Sequence, residues 1–178
     1  MLLPLVRVAV RLERVLSDFI SIAERKVFCP RAVPDEAPIE IDITGILKAQ
    51  RRVDDIAFVN VHTQNELCMT FNKYWLQAAS AVTAITAEKV KLEAMAKKAL
   101  NMALLDSKQK SADMRRAEAE LNEDYLKLND TLNQVRAALM YMQDKKQLFE
   151  NAFTSVKKLV GSLYVPRDAP NNPTGDPI

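Results

Sequence analysis

Two long stripes of apolar side chains constrain this sequence more than any other feature. Within each stripe the positions recur in alternating steps of three and four residues, which places them on one face of an α-helix, as in a coiled coil. The first stripe runs from Leu67 to Met102 and the second from Leu121 to Leu163. The stretch between them, residues 107–113, is polar and out of step, which is typical of a turn between helices. The pattern therefore predicts two helices, over residues 64–106 and 112–163, that pack as a long antiparallel hairpin.

The amino-acid composition favours an all-α fold. Good helix formers such as Ala, Leu, Lys and Glu are abundant, whereas the chain has only three glycines. Sheet-rich folds need frequent tight turns, which glycine adopts most easily, so a sandwich or a barrel is not expected. Because Gly45, Gly161 and Gly175 lie far apart, a glycine-rich phosphate-binding loop is excluded as well.

Four segments are expected along the chain. Residues 1–28 are apolar with a narrow polar stripe, which predicts an amphipathic helix that packs against other helices or subunits. Arginines interrupt this segment before it is long enough to span a bilayer. Residues 29–43 contain three prolines and are expected to form a linker, with an extended stretch at 39–43. Residues 44–163 form the helical hairpin domain, and residues 164–178, with four prolines, are expected to be a disordered tail.

Side chains that could carry catalysis or bind a metal are few. One histidine, His62, and two cysteines, Cys29 and Cys68, do not supply the four ligands of a closed zinc site. The cysteines show no CxxC pattern, and we expect both to be reduced. An acidic group at residues 118–124 is interpreted as a solvated helical face. We therefore expect a non-enzymatic protein with no catalytic residues, no metal site and no cofactor.

Basic residues gather near the end of the first predicted helix and around the turn. Cations at one end of a hairpin can bind phosphates through counterion release without reading a base sequence. The alternative interpretation is a solvated face whose charges complement the dipole at the helix C-terminus. The candidate nucleic-acid-binding residues are Lys89, Lys91, Lys97, Lys98, Lys108, Lys110, Arg115 and Arg116.

The second stripe is also a candidate interface between subunits. Helices of this length would each reach about 60–80 Å and bury only the faces that they share, so the remaining apolar side chains need cover. We therefore expect a homo-oligomer. Its candidate interface residues are Leu128, Leu132, Val135, Leu139, Met142, Phe149, Phe153 and Val156.

Four short motifs lie between residues 72 and 160. They are NKYWL at 72–76, the basic stretch from Lys89 to Leu100, the stretch from Leu128 to Leu132, and the stretch from Leu148 to Leu159. Together they resemble the phage recombination mediator family, small helical proteins that help load a phage recombinase on single strands coated by single-strand binding protein. The resemblance implies partners of three kinds: single-stranded DNA, a recombinase and a single-strand binding protein.

These observations lead to two functional expectations. The first is a non-enzymatic recombination mediator of phage type in the host cytoplasm. The second is a structural or assembly protein, such as a virion or scaffold component, in which the stripes and residues 1–28 are all interface and no nucleic acid is bound. A third alternative is an adaptor that lies on a membrane surface through residues 2–28. Acidic side chains in that segment would repel anionic lipid, so a membrane partner is not expected.

Overall fold

Four helices and a small sheet make up the part of the chain that the structure describes. The structure is a computed structural model, and it describes residues 20–21, 25–33, 35–53 and 61–163. The prediction of a mostly helical protein is confirmed. The helices are α1 (Thr44–Val53), α2 (Val61–Asp106), α3 (Ala112–Glu120) and α4 (Glu123–Leu163). The strands are β1 (Ile20–Ser21), β2 (Lys26–Cys29) and β3 (Ile39–Asp42).

The two long helices, α2 and α4, lie side by side and run in opposite chain directions. Near the start of α2, the ring centroids of Phe71 and Phe149 are 6.1 Å apart. Further along, Arg136 Nη2 lies 3.4 Å from Glu93 Oε1. The buried apolar residues between the helices follow the two predicted stripes, and we call them the inner seam. The inner seam consists of Leu67, Phe71, Ala78, Ala81, Ile85 and Leu92 from α2, and of Leu132, Val135, Leu139, Met142, Phe149 and Val156 from α4.

The inner seam corrects the prediction that the second stripe is an interface between subunits. Of the eight candidate interface residues, Leu128 and Phe153 are partly buried against the same core. The other six, Leu132, Val135, Leu139, Met142, Phe149 and Val156, are buried within one chain. These six side chains are covered within the chain itself, so they are not exposed to a second subunit in this fold, whereas an interface at Leu128 and Phe153 stays a prediction. Three-four spacing shows that a helix face needs a partner, but it does not tell which chain supplies that partner.

A three-stranded antiparallel sheet packs against the helices. The strand order is β1-β2-β3, and Val27 lies opposite Ile41 while Cys29 lies opposite Ile39. Successive side chains of a strand point to opposite faces, so Val27 and Cys29 are both buried in the core. The all-α prediction therefore missed a small sheet.

The sheet differs from the structure predicted for the two N-terminal segments, residues 1–28 and 29–43. Strands occupy residues 20–21 and 26–29, so the helix predicted for residues 1–28 does not extend through them. The rest of that predicted helix, residues 1–19 and 22–24, lies outside the described residues. β3 occupies most of the predicted extended stretch, and Ile41 and Ile43 are buried rather than exposed in a linker. An isolated strand is marginal, and β2 supplies the neighbour that stabilises it.

Helix α1 connects β3 to the first part of α2. Asp42 Oδ1 accepts a hydrogen bond from the Thr44 N–H at 2.8 Å, which satisfies one of the free donors at the start of the helix. Ile46 and Ala49 are buried on one face of α1. The Tyr74 ring lies directly against Gly45, where a Cβ atom would be 2.6 Å from Tyr74 Oη. A side chain at position 45 would therefore require the Tyr74 ring to shift.

The helix predicted over residues 112–163 is divided into α3 and α4. Asn122 Oδ1 accepts hydrogen bonds from the N–H groups of Asp124 at 3.1 Å and Tyr125 at 3.2 Å, so Asn122 caps α4. Leu121, the first position of the second stripe, lies in the break and is 75% exposed. The turn predicted at residues 107–113 is confirmed, since α2 ends at Asp106 and α3 begins at Ala112.

Two other predictions concern the C-terminus and the membrane. The tail predicted for residues 164–178 lies outside the described residues. Among the helices that the structure describes, none is both long and apolar enough to cross a membrane.

Candidate nucleic-acid interface

The predicted basic site lies where the chain reverses between α2 and α4. We call residues 97–124 the turn end. The Ser107 hydroxyl donates a hydrogen bond to Glu118 Oε2 at 2.5 Å, which ties the start of the non-helical segment to α3. Ala119 is buried, so α3 packs against the rest of the molecule instead of projecting from it. The turn end is therefore a defined surface with side chains from α2, the turn and α3.

Five of the eight candidate basic side chains are exposed at the turn end without an acidic partner. Lys97 and Lys98 lie about 12–14 Å before the end of α2. Lys108 and Lys110 lie in the turn, and Arg115 lies on α3. In the described part of the chain, no carboxylate lies within ion-pair distance of any of the five. Their charges are available to an external anion such as a phosphate.

The other three candidates are engaged in ion pairs. Lys89 Nζ lies 3.6 Å from Glu93 Oε1, and Lys91 Nζ lies 2.9 Å from Glu88 Oε1. Both also lie more than about 20 Å before the end of α2, so they are not part of the turn end. Arg116 is at the turn end, but its Nε lies 3.0 Å from Glu120 Oε1. The structure thus places six of the predicted residues at the turn end, five of them without an ion pair, and leaves Lys89 and Lys91 outside it.

The charges of the turn end are divided into a basic and an acidic part. Residues 97–116 contain six basic and two acidic side chains, whereas residues 117–124 contain four acidic and no basic ones. The acidic part includes Glu118, which is bound to Ser107, and Glu123, whose Oε1 lies 3.0 Å from Lys127 Nζ. A phosphate chain would be attracted to the first part and repelled by the second. At the turn end, a phosphate chain would therefore be favoured by the side chains of residues 97–116 and disfavoured by those of residues 117–124.

A buried carboxylate, Glu88, joins α2 to the segment between β2 and β3. Glu88 Oε2 accepts a hydrogen bond from the Ala32 N–H at 3.0 Å, and Oε1 accepts one from Lys91 Nζ at 2.9 Å. Arg31 Nη1 lies 3.7 Å from the same carboxylate. The Ala32 amide, followed by Lys91, holds the pKa of Glu88 below its ordinary value although burial alone would raise it. In the sequence, Glu88 is a charged residue that stands at a three-four position of the first stripe, and the stripe gives no sign of this contact.

A cleft of about 640 Å³ lies between the same segment and α4. Its apolar wall includes Val33, Leu92 and Leu128, and its rim carries charges of both signs, among them Arg31 and Lys127. The lining that the structure describes contains no histidine or cysteine. Within the described ranges, no group of three or more His, Cys, Asp or Glu side chains is placed to hold a metal ion. The cleft therefore offers shape and apolar surface rather than reactive groups.

Cys29 and Cys68 are not joined by a disulfide in the structure. Burial raises the pKa of the Cys29 thiol to about 11, and the Glu88 carboxylate adds to this effect. Burial also raises the pKa of Cys68. Thiols with raised pKa values are poor nucleophiles near neutral pH, so neither cysteine is suited to nucleophilic catalysis.

Comparison of the chain with protein-family models, with curated proteins and with solved structures finds no significant match to any of the three.

Proposed function

We propose that the protein is a non-enzymatic recombination mediator of phage type, which binds single-stranded DNA and helps load a recombinase. The observation that carries the proposal is the set of five exposed, unpaired basic side chains at the turn end: Lys97, Lys98, Lys108, Lys110 and Arg115. The resemblance of the motifs within residues 72–160 to the mediator family supports the choice of single-stranded DNA as the polyanion. In this proposal α2 and α4 act as a coiled-coil-like antiparallel hairpin that holds the basic side chains at one end.

Binding would depend on phosphates and not on base sequence. Lysine and arginine side chains that neutralise phosphates release condensed counterions, and this release favours binding most at low salt. The aromatic side chains Phe71, Tyr74 and Phe149 pack together far from the turn end, so they do not provide a stacking platform there. The expected binding mode is therefore strongly salt-dependent and tolerant of sequence.

Charge-removing variants test this assignment. Gln in place of Arg115 keeps a similar helix propensity, Lys108 and Lys110 lie outside the helices, and none of the three belongs to the inner seam. The matched control replaces Lys48, Lys157 and Lys158, which are exposed on α1 and on the last part of α4, with Gln. Both variants lose the same formal charge. We expect the turn-end variant to bind an oligo(dT) strand at least roughly tenfold more weakly at low salt, and the control to change affinity by less than about threefold.

Two outcomes of that comparison would contradict the proposal. Equal losses in the two variants would show that net charge, and not the turn end, sets the affinity. Absence of strand binding by the wild-type protein at low salt would remove the mediator function itself.

A second candidate function is a structural or assembly protein without a nucleic-acid role, in a virion or a scaffold. The observation that favours it is the exposed apolar surface at the same end, where Leu105 is 86% exposed and Met102 and Met114 are also exposed. Exposed apolar side chains of this size mark contacts with other proteins more often than contacts with phosphates. Under this alternative the turn end binds protein, and the wild-type chain does not retain oligo(dT).

A further inference from the structure

A second stripe on α2 faces away from the inner seam and is exposed along its whole length. Its positions follow the same three-four spacing, and we call them the outer seam. They are Met69, Lys73, Leu76, Ser80, Thr83, Ala87, Val90 and Ala94. The exposed fractions are 76% for Met69, 54% for Leu76 and 59% for Val90. The inner seam is covered by α4, whereas none of the described elements covers the outer seam.

The outer seam lacks the charges that a solvated helix face normally carries. Residues 74–87 contain no charged side chain, although they make up about four turns of helix. Lys73 is the only charged member of the outer seam. The Thr83 hydroxyl donates a hydrogen bond to the Ala79 carbonyl at 3.0 Å, so this side chain has its polar group satisfied within its own helix. A face of this kind is typical of a helix that packs against another helix.

We infer that the outer seam binds the outer seam of a second copy of this chain, with the two α2 helices antiparallel. The size pattern of the seam selects this arrangement. The larger apolar side chains are Met69, Leu76 and Val90, and small side chains stand at Ser80, Ala87 and Ala94. In an antiparallel pair, Met69 and Leu76 can each lie opposite an alanine of the other copy, so these layers combine a large side chain with a small one.

One register uses the whole outer seam. It places Met69 opposite Ala94 of the second copy, Leu76 opposite Ala87, and Ser80 opposite Thr83. Lys73 then lies opposite Val90, where its aliphatic stem packs and its amine reaches the solvent. In a parallel pair, Ala87 and Ala94 would also face their own copies, in addition to the small layers at Ser80 and Thr83 that the antiparallel pair shares, and Lys73 would face the same lysine of the second copy. Size and charge therefore both favour the antiparallel pair.

The expected dimer is of moderate affinity. The stretch from Met69 to Ala94 is about 38 Å long, and a helix is about 10 Å wide, so each copy would bury roughly 400 Å². The total of roughly 800 Å² is below the size of standard stable interfaces. We therefore expect dissociation in the micromolar range. The proposal goes beyond the nucleic-acid function, because none of the turn-end residues takes part in the outer seam from Met69 to Ala94.

Sedimentation of matched variants tests the interface. One variant carries Leu76→Glu and Val90→Glu in the outer seam, and the control carries Leu126→Glu and Met140→Glu, which are exposed on α4. Burying the two apolar side chains of the seam is worth about 10-fold or more each, so we expect the first variant to raise the dissociation constant by roughly 100-fold. The control should dimerise like the wild type. Circular dichroism checks that both variants stay helical.

Disulfide trapping tests the orientation. In a Cys68→Ser background, where the buried Cys29 is the only native thiol left, one protein carries Met69→Cys and another, with a size tag, carries Ala94→Cys. An antiparallel pair brings these two positions within disulfide distance only when the proteins are mixed, so we expect a mixed disulfide and no disulfide in either protein alone. A monomeric wild type at about 100 µM, equal dissociation of both Glu variants, or disulfides in the unmixed proteins would each overturn the proposal.

Discussion

Replacement of the buried Glu88 by glutamine is expected to destabilise the fold in a pH-dependent way. The variant keeps the size of the side chain and removes its charge. The Ala32 N–H, at 3.0 Å, then donates to a neutral acceptor instead of a carboxylate. A hydrogen bond to a charged group contributes about 1.5–3 kcal/mol and one between neutral groups about 0.5–1.5 kcal/mol, so this exchange costs about 1 kcal/mol.

The second partner, Lys91, adds less to the cost of the substitution. Its side chain is 59% exposed, and solvent screens its attraction to Glu88 at 2.9 Å. We therefore expect Glu88→Gln to lower the free energy of unfolding by about 1–2 kcal/mol at pH 7. For a chain of this size, this corresponds to a melting temperature lower by about 2–8 °C.

The pH dependence follows from the lowered pKa of Glu88. A carboxylate whose pKa is lower in the folded state stabilises the fold above its unfolded pKa, and this contribution is lost as the pH falls through the folded value. The difference between wild type and Glu88→Gln should therefore be constant from about pH 8 to pH 5.5 and should shrink below about pH 4.5. Urea denaturation at each pH measures this difference.

Glu93→Gln is the control for the charge change. Glu93 is 42% exposed, and its partners Lys89 and Arg136 lie at 3.6 and 3.4 Å. A surface pair of this kind contributes about 0–1 kcal/mol. If the two variants lost equal stability, or if the Glu88→Gln difference stayed unchanged down to pH 3, the carboxylate would not have the role assigned to it.

Three further substitutions or reactions test the packing. Gly45→Ala should force the Tyr74 ring away from α1, because a Cβ would lie 2.6 Å from Tyr74 Oη. We expect the free energy of unfolding, measured by urea denaturation, to fall by about 1–3 kcal/mol. An unchanged urea midpoint would contradict the close approach. Phe149→Ala should lower the free energy of unfolding by about 3–5 kcal/mol, because this fully buried ring packs with its centroid 6.1 Å from that of Phe71. A smaller loss than for Phe153→Ala, at a partly buried position, would refute the central place of Phe149 in the core. A thiol reagent at pH 8 should modify Cys68 before Cys29, whose pKa is about 11, and equal rates in the folded protein would argue against the burial of Cys29.

The sequence pattern predicted the middle of the helix pair better than its ends. Leu67 to Leu92 and Leu132 to Val156 are largely buried at the expected three-four positions, because a long helix pair leaves one strong solution for such a stripe. At the turn end the pattern fails. Met102 is exposed, and Leu121 lies in the break before α4, where Asn122 caps that helix. A single capping side chain inside a polar stretch gives too weak a signal to divide a predicted helix.

The sheet and the Glu88 site depend on contacts between residues far apart in the sequence. Glu88 binds the backbone of Ala32 across a separation of 56 residues, and nothing in the local pattern around either residue predicts this pairing. β3 was visible as an alternating stretch. Its neighbour β2 lies at the end of an apolar segment, where short strands and helices cannot be told apart by periodicity. The sequence pattern also does not tell whether a helix face is covered within the same chain or by a second chain.

The salt dependence of single-strand binding tests the central claim most directly. Fluorescence anisotropy with labelled oligo(dT), at salt concentrations from about 20 to 500 mM, gives the slope of log affinity against log salt. Each phosphate contact with a single strand contributes about 0.7 to this slope, so the five unpaired cations predict a slope of up to about 3.5 in magnitude. The Lys108, Lys110 and Arg115 to Gln variant should lower the slope by about 2, and the Lys48, Lys157 and Lys158 control should leave it unchanged. A wild-type slope below about 1, or one that the turn-end variant does not lower, would contradict the assignment of the turn end as the nucleic-acid interface.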